Sequence, residues 1–206
     1  MNRMVKSHVI PPPKKKIQGE NRMSDSKKCG EWEINISLDA MPEKIASAMV
    51  ELNETLIGAK YKSIAYLGSQ VVNGTNFAVL AEQTLLDAAN TKNIVLIVFN
   101  VAPNSLKASL VFIEPVLNSF ATAFGGIKIN DDFKITDDAQ KAFDCATEHF
   151  VGSKVEPFAF LATQVTKGIN FFFAAKVTPV YPNAKPSVDL LTVNPMCGPI
   201  KFDKIL

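Results

Sequence analysis

The chain has 206 residues, 47% of them hydrophobic, and a formal net charge of +2. These values fit one large or two small globular domains. The charge is uneven, because residues 1–28 hold eight Lys or Arg and two acidic residues, whereas residues 29–206 hold 14 basic and 18 acidic ones. The basic character therefore belongs to the N-terminal segment. It does not indicate a nucleic-acid-binding surface on the folded part.

Residues 1–28 are predicted to be a disordered basic head, since they contain Pro11–Lys16 and lack hydrophobic periodicity. No apolar stretch typical of a signal peptide follows the early charges, which leads us to expect a cytoplasmic protein. The run Ile94–Phe99 is too short to cross a bilayer. Three widely spaced cysteines without a C-x-x-C motif favour a reducing compartment over a disulfide framework.

Taken in chain order, the folded part begins with a short alternating strand over 30–36. Pro42 is favoured in the first turn of a helix. Apolar residues then recur at steps of four, three and four and predict a helix over 42–57, with Gly58 at its end. These apolar residues are Ile45, Met49, Leu52 and Leu56. Four strands follow, at about 60–72, 75–84, 94–100 and 106–113.

The second half repeats the first at a constant shift of 94 residues. This shift places Gln70 on Gln164 and Gly74 on Gly168, and it predicts a second helix over 136–151 that begins after Thr136. Two repeats, 29–118 and 119–206, are therefore expected. The pattern predicts an α+β fold in which each helix covers one face of a curved antiparallel sheet of four to five strands. The other face of each sheet is expected to alternate polar residues toward water.

The most informative stretch is Gln70-Val71-Val72-Asn73-Gly74, which lies between two apolar-alternating runs. Asn-Gly in that context predicts a two-residue hairpin turn with positive φ at both residues. Gly168 is expected to serve the same turn in the second repeat, so substitution of either glycine should cost similar stability.

Gln-x-Val-x-Gly at a hairpin tip, on a module of one helix and an antiparallel sheet, resembles the cystatins, in particular their intracellular, disulfide-free, stefin-like branch. The resemblance covers about residues 29–206. It implies binding to a papain-like cysteine peptidase, whose cleft is filled by three segments without any reaction. By position these are the trunk residue Gly30, the first loop Gln70, Val71, Val72, Asn73 and Gly74, and the second loop Ala102, Pro103 and Asn104. Tandem cystatin-like modules are thus the implied fold.

The second repeat departs from this pattern. Its loop is Gln164-Val165-Thr166-Lys167-Gly168, with Thr where the family has its second Val and a charged residue at the tip. Structural support of the first repeat is its expected role. A non-inhibitory interaction or scaffold protein that reuses two cystatin-like modules is the alternative for the whole chain, because a hairpin needs turn residues whether or not it binds a peptidase.

Other classes of function have less support in the sequence. A single histidine outside the head, His149, and no nucleophile motif argue against an enzyme. Cys145 and His149 are interpreted as a surface pair, so no metal or cofactor is expected. Neither a glycine-rich phosphate loop nor a basic aromatic platform occurs, so nucleic-acid and membrane partners are not expected. The sequence does not indicate an oligomeric state.

Overall fold

The fold is taken from a computed structural model, which describes residues 30–38, 41, 43–105, 107–119, 125–196 and 200–206. The basic head predicted over 1–28 lies outside the described residues, and so does Pro42 at the predicted helix start. Among the described residues, each half of the chain has five strands and one helix. In the first half they are β1 (Trp32–Ser37), α1 (Glu43–Thr55), β2 (Ala59–Val72), β3 (Gly74–Leu85), β4 (Lys92–Val101) and β5 (Ala108–Asn118). In the second they are β6 (Ile127–Ile129), α2 (Asp137–Thr147), β7 (Ser153–Thr166), β8 (Gly168–Pro179), β9 (Ser187–Val193) and β10 (Lys201–Lys204).

Each half forms its own five-stranded antiparallel sheet, with the strands in chain order. Sheet A runs β1-β2-β3-β4-β5, and sheet B runs from β6 to β10 in the same way. The α+β class is therefore confirmed. The register also repeats: β2 and β3 are irregular between Ser63 and Ala65, and β7 and β8 are irregular between Pro157 and Ala159, 94 residues later.

Both helices lie close to their predicted positions. The apolar side of α1 is buried against sheet A, where Ile45, Met49 and Leu52 pack with Phe99. In α2 the hydroxyl oxygen of Thr136 accepts a hydrogen bond from the backbone of Ala139 at 3.3 Å, the N-cap expected from the sequence. This helix ends at Thr147, earlier than the predicted residue 151. Strand β5 instead runs to Asn118, beyond the predicted residue 113.

The expectation that the second face of each sheet meets water is wrong. The two sheets pack on each other through these faces and share one hydrophobic cluster, to which both halves contribute equally. From sheet A it contains Ile64, Ala65, Leu67, Ala78, Leu80, Ile94, Leu96, Val98 and Leu117, and from the second half Ile129, Phe133, Ala159, Leu161, Ala162, Phe172, Ala174, Val188 and Leu190. The layers are therefore helix, sheet, sheet and helix.

The physical reason is that the central strands are apolar on both sides. Ile94–Phe99 is a run of six buried residues, so alternate side chains point to α1 and to sheet B. A continuous apolar run is typical of a strand that is buried on both faces.

Polar contacts also join the halves. The Lys92 ammonium donates a hydrogen bond to the Asp131 carboxylate at 2.9 Å and lies 3.4 Å from Glu82. The hydrogen bond raises the pKa of Lys92 and lowers the pKa of Asp131. Lys62 donates to the Asp131 backbone oxygen at 3.1 Å. Because the Asp131 side chain is 91% exposed, this pair orients the sheets more than it stabilises them.

Candidate functional site

The three segments singled out from the sequence lie together at one end of sheet A. We call this end tip A: Gly30, the loop Gln70–Gly74, and the loop Ala102–Asn104. Gly30 N–H donates to the Val71 carbonyl at 2.8 Å, which places the trunk beside the first loop. Thr75 pairs with Val101, which places the second loop on the other side. The order β1-β2-β3-β4 thus sets the three segments side by side.

The first loop does not form the two-residue turn that the sequence predicted. Val72 pairs with Gly74 and Val71 with Thr75, and Asn73 lies between. Among these residues only Gly74 has positive φ, at +97°, while Asn73 does not. A single left-handed residue at the end of the turn matches the three-residue hairpin loop, whose last position favours glycine. Glycine is therefore needed at position 74, as expected, but the backbone conformation at position 73 does not require asparagine.

Gly74 is also the point where the two loops touch. A Cβ added there would lie 2.4 Å from the Val101 carbonyl oxygen and 3.0 Å from the Ala102 Cα. No side chain fits against backbone at such distances. Glycine therefore allows the first loop to pack directly on the second.

A chain of side-chain amides crosses the sheet beneath tip A. Gln70 Nε2 donates to the Gly30 carbonyl at 2.9 Å, and Gln70 Oε1 accepts from Asn76 Nδ2 at 2.8 Å. Asn76 Oδ1 in turn accepts from Asn100 Nδ2 at 2.8 Å. We call Gln70, Asn76 and Asn100 the amide chain of sheet A. It links the segment before β1 to β2, β3 and β4 through paired polar groups, which fixes the spacing of the trunk and both loops.

Sequence reasoning found Gln70 but not its partners. Asn76 and Asn100 were not among the predicted site residues, although the shift of 94 residues places them on Asn170 and Asn194. The available signal was the recurrence of asparagine at equivalent positions of otherwise apolar strands in the two halves. The structure gives Gln70 an internal role: both ends of its amide are used within the sheet.

The exposed residues of tip A are Gly30, Asn73, Ala102, Pro103 and Asn104. The loop residues Gln70, Val71, Val72 and Gly74 are half-buried. All the predicted site residues are therefore at or just behind one surface. The exposed part of that surface consists of a glycine and of small or uncharged side chains.

Other sites of chemistry are not found in the described part of the chain. No group of three or more His, Cys, Asp or Glu lies together there in a way that could hold a metal ion. Within the same residues, no helix is both long enough and apolar enough to cross a membrane. Cys145 is exposed on α2, while Cys29 and Cys197 lie outside the described residues.

Comparison with known proteins adds no relative. No protein-family model matches the chain, and neither a curated protein nor a solved structure matches it. The features that bear on its function are therefore the motif, the topology and the geometry of tip A.

Proposed function

We propose that this chain is a tandem cystatin-like protein that binds papain-like cysteine peptidases non-covalently through tip A and thereby inhibits them. The observation that carries the proposal is the convergence of Gly30, Gln70–Gly74 and Ala102–Asn104 at one end of sheet A. Three segments that are far apart in the sequence form one exposed surface. This is the arrangement that the cystatin resemblance requires of them.

The topology of each half supports the cystatin-like assignment. One helix lies between the first and second strands and packs on an antiparallel sheet whose strands follow chain order. The hairpin that carries the motif is formed by the second and third strands, β2 and β3.

Inhibition would follow from rigid occupation of the cleft. The amide chain and the Gly74 contact hold tip A in place before binding, so little conformational entropy is lost on association. The apex offers Asn73, Ala102, Pro103 and Asn104, none of which is charged. An uncharged apex is inserted without the cost of desolvating a charge. The peptidase cysteine meets no bond that it can cleave in productive geometry.

A scaffold protein without inhibitory activity is the second candidate, and one observation favours it. The amide chain recurs in sheet B, where Gln164 donates to Gly125 at 2.7 Å and accepts from Asn170 at 3.0 Å. The glutamine of the motif is thus explained by the fold in both halves. Retention of Gln70 on its own therefore does not require a peptidase partner.

Titration of papain with the full chain distinguishes the two candidates. We expect saturable loss of papain activity at one chain per enzyme, with the chain recovered uncleaved, and no effect on pepsin, which has no active-site cysteine. Calorimetry should give the same stoichiometry. No binding to papain and to a cathepsin at micromolar concentrations would overturn the proposal and leave the scaffold as the conclusion.

A further inference from the structure

An asparagine side chain reacts with the backbone that follows it when neither partner is restrained. The backbone nitrogen of the next residue attacks the side-chain carbonyl carbon. Glycine as the next residue leaves that nitrogen least hindered, because it has no Cβ. The chain contains one Asn-Gly pair, Asn73-Gly74, at the apex of the first loop. The other described asparagines are restrained in several ways.

Seven of the described asparagines have side-chain amides that are held by hydrogen bonds within the fold. Asn53, for example, donates to the Tyr61 carbonyl at 2.9 Å and accepts from the Tyr61 N–H at 3.1 Å. An amide that keeps such bonds is not free to turn toward the nitrogen of the next residue. The seven are Asn53, Asn76, Asn93, Asn100, Asn130, Asn170 and Asn194.

Four further asparagines precede a residue whose backbone N–H is already bonded. Thr91 N–H donates to the Asp87 carboxylate at 2.9 Å. The N–H groups of Ser105, Ser119 and Ala184 donate in turns and loops at 3.1 or 3.2 Å. A nitrogen that donates must lose its bond before it attacks. The asparagines concerned are Asn90, Asn104, Asn118 and Asn183.

Asn73 has neither a fixed side chain nor a crowded neighbour. It is exposed, and among the described residues its side chain has no hydrogen-bond partner. Gly74 forms the last pair of the hairpin, with Val72, so the nitrogen that must react lies at the end of the ladder. Asn35 is also exposed, but it is followed by Ile36, whose branched side chain crowds that nitrogen.

We propose that Asn73 is a site of spontaneous deamidation, in which the Gly74 backbone nitrogen displaces the side-chain amide. This nitrogen gives its proton to a base in solution and forms a bond to Asn73 Cγ. The Cγ–Nδ2 bond breaks, Nδ2 takes up a proton, and ammonia leaves. Water then opens the resulting succinimide at either of its two carbonyl groups, which yields aspartate or isoaspartate. The sequence of steps needs only water and base.

The reaction would change the charge of tip A at its apex. That apex is uncharged in the unmodified chain, whereas each product carries a carboxylate at position 73. Isoaspartate also leads the main chain through the former side chain, which lengthens the turn. The consequence for binding rests on the proposed function: a charge that must be desolvated weakens the contact with a peptidase. Tip A would therefore lose affinity as the chain ages. The equivalent loop has Lys167 before Gly168 and cannot react in this way.

Mass spectrometry of the full chain tests the reaction itself. After incubation at mildly alkaline pH and body temperature, we expect deamidation at position 73 at least about ten times as fast as at any other described asparagine. The rate should rise with pH, because the Gly74 nitrogen must lose a proton. Asn73→Gln is the matched control and should stay unmodified at this position, since its longer side chain closes a ring more slowly. Equal rates at all asparagines, or an intact Asn73 after others have reacted, would overturn the proposal.

Papain titration with the same samples tests the consequence, with thermal unfolding as the check that each sample is folded. The aged parent should bind papain at least about tenfold more weakly than the fresh parent, and fresh Asn73→Asp should be as weak as the aged parent. Asn73→Gln should keep its own fresh affinity after the same incubation. Unchanged affinity of a chain that is fully modified at position 73 would overturn the loss of function with age. A fresh parent that does not bind papain would overturn the proposed function, while the mass measurement would still decide on deamidation.

Discussion

At the scale of single residues, Gly74 and Gly168 occupy equivalent positions but have different surroundings. Both have positive φ, +97° and +96°. A Cβ on Gly74 meets backbone at 2.4 Å, whereas a Cβ on Gly168 meets side-chain atoms of Asn194 and Met196 at 3.2 Å and beyond. Side chains can move aside more easily than two packed strands. We therefore no longer expect substitutions of Gly74 and Gly168 to lower the stability equally, and Gly74 should be the more sensitive position.

Alanine substitution measures this difference. Gly168→Ala should lower the free energy of unfolding by about 1 kcal/mol, the cost of a left-handed alanine. Gly74→Ala should lower it by about 2–4 kcal/mol, because overpacking against the Val101 carbonyl is added. Urea unfolding of both variants checks the order. Equal losses would show that the loops of tip A can separate without cost.

The amide chains predict a second effect at this scale. Asn76→Ala removes the central member in sheet A, which leaves Gln70 Oε1 without its donor and Asn100 Nδ2 with only the long contact to the Asn73 carbonyl at 3.5 Å. An unpaired, partly buried polar group costs about 1–3 kcal/mol. Asn170→Ala should give a similar loss in sheet B, as judged by urea unfolding. A loss below about 0.5 kcal/mol in both variants would mean that water replaces the amide.

At the scale of elements, the sequence predicted both helices and the motif hairpin because their signals are local. These signals are an apolar stripe at helical spacing, the Thr136 N-cap and the Asn-Gly pair. Each of them acts between residues that are close in the sequence. The turn type was missed, since Asn-Gly also fits a three-residue loop in which only Gly74 is left-handed. The role of Gln70 was missed as well, because its partners are on other strands.

The packing of the two sheets could not be derived from one half considered alone. Ile94–Phe99 was recognised as apolar, and its length was compared only with that of a membrane span. Six consecutive apolar residues in a strand need cover on both faces. One helix per sheet covers one face only, so the second cover had to be the other sheet.

The shared cluster predicts that the halves unfold together. Leu67 and Leu161 are equivalent residues, both fully buried between the sheets. Leu161→Ala should destabilise the protein by about 2–5 kcal/mol. It should also shift the fluorescence transition of Trp32, which is in the other half, as much as it shifts the circular dichroism transition. Leu67→Ala is the matched control, expected to behave in the same way.

A Trp32 transition that is unmoved by Leu161→Ala would show that each half unfolds by itself. The four-layer arrangement would then be an association of two independent units rather than one cooperative structure.

At the scale of the whole molecule, the two halves form a double-ended structure. One core holds the sheets together, and the ion pair of Glu31 with Lys185 places tip A beside the far end of sheet B. The two ends carry different loops, since the apex of tip A is uncharged whereas the equivalent loop of the second half has Lys167 at its apex. Repetition of the fold thus supplies two rigid ends whose loops differ.

The most direct test of the central proposal compares papain affinity for substitutions at the two loop apices. Asn73 is exposed at the apex of tip A, and Lys167 is its equivalent in the loop of the second half. Asn73→Glu places a charge inside the proposed contact, where it must be desolvated. The account predicts that Asn73→Glu weakens papain binding at least about tenfold, or about 1.4 kcal/mol, while Lys167→Glu stays within about twofold of the parent. Equal papain affinity of the parent and both folded variants would contradict it.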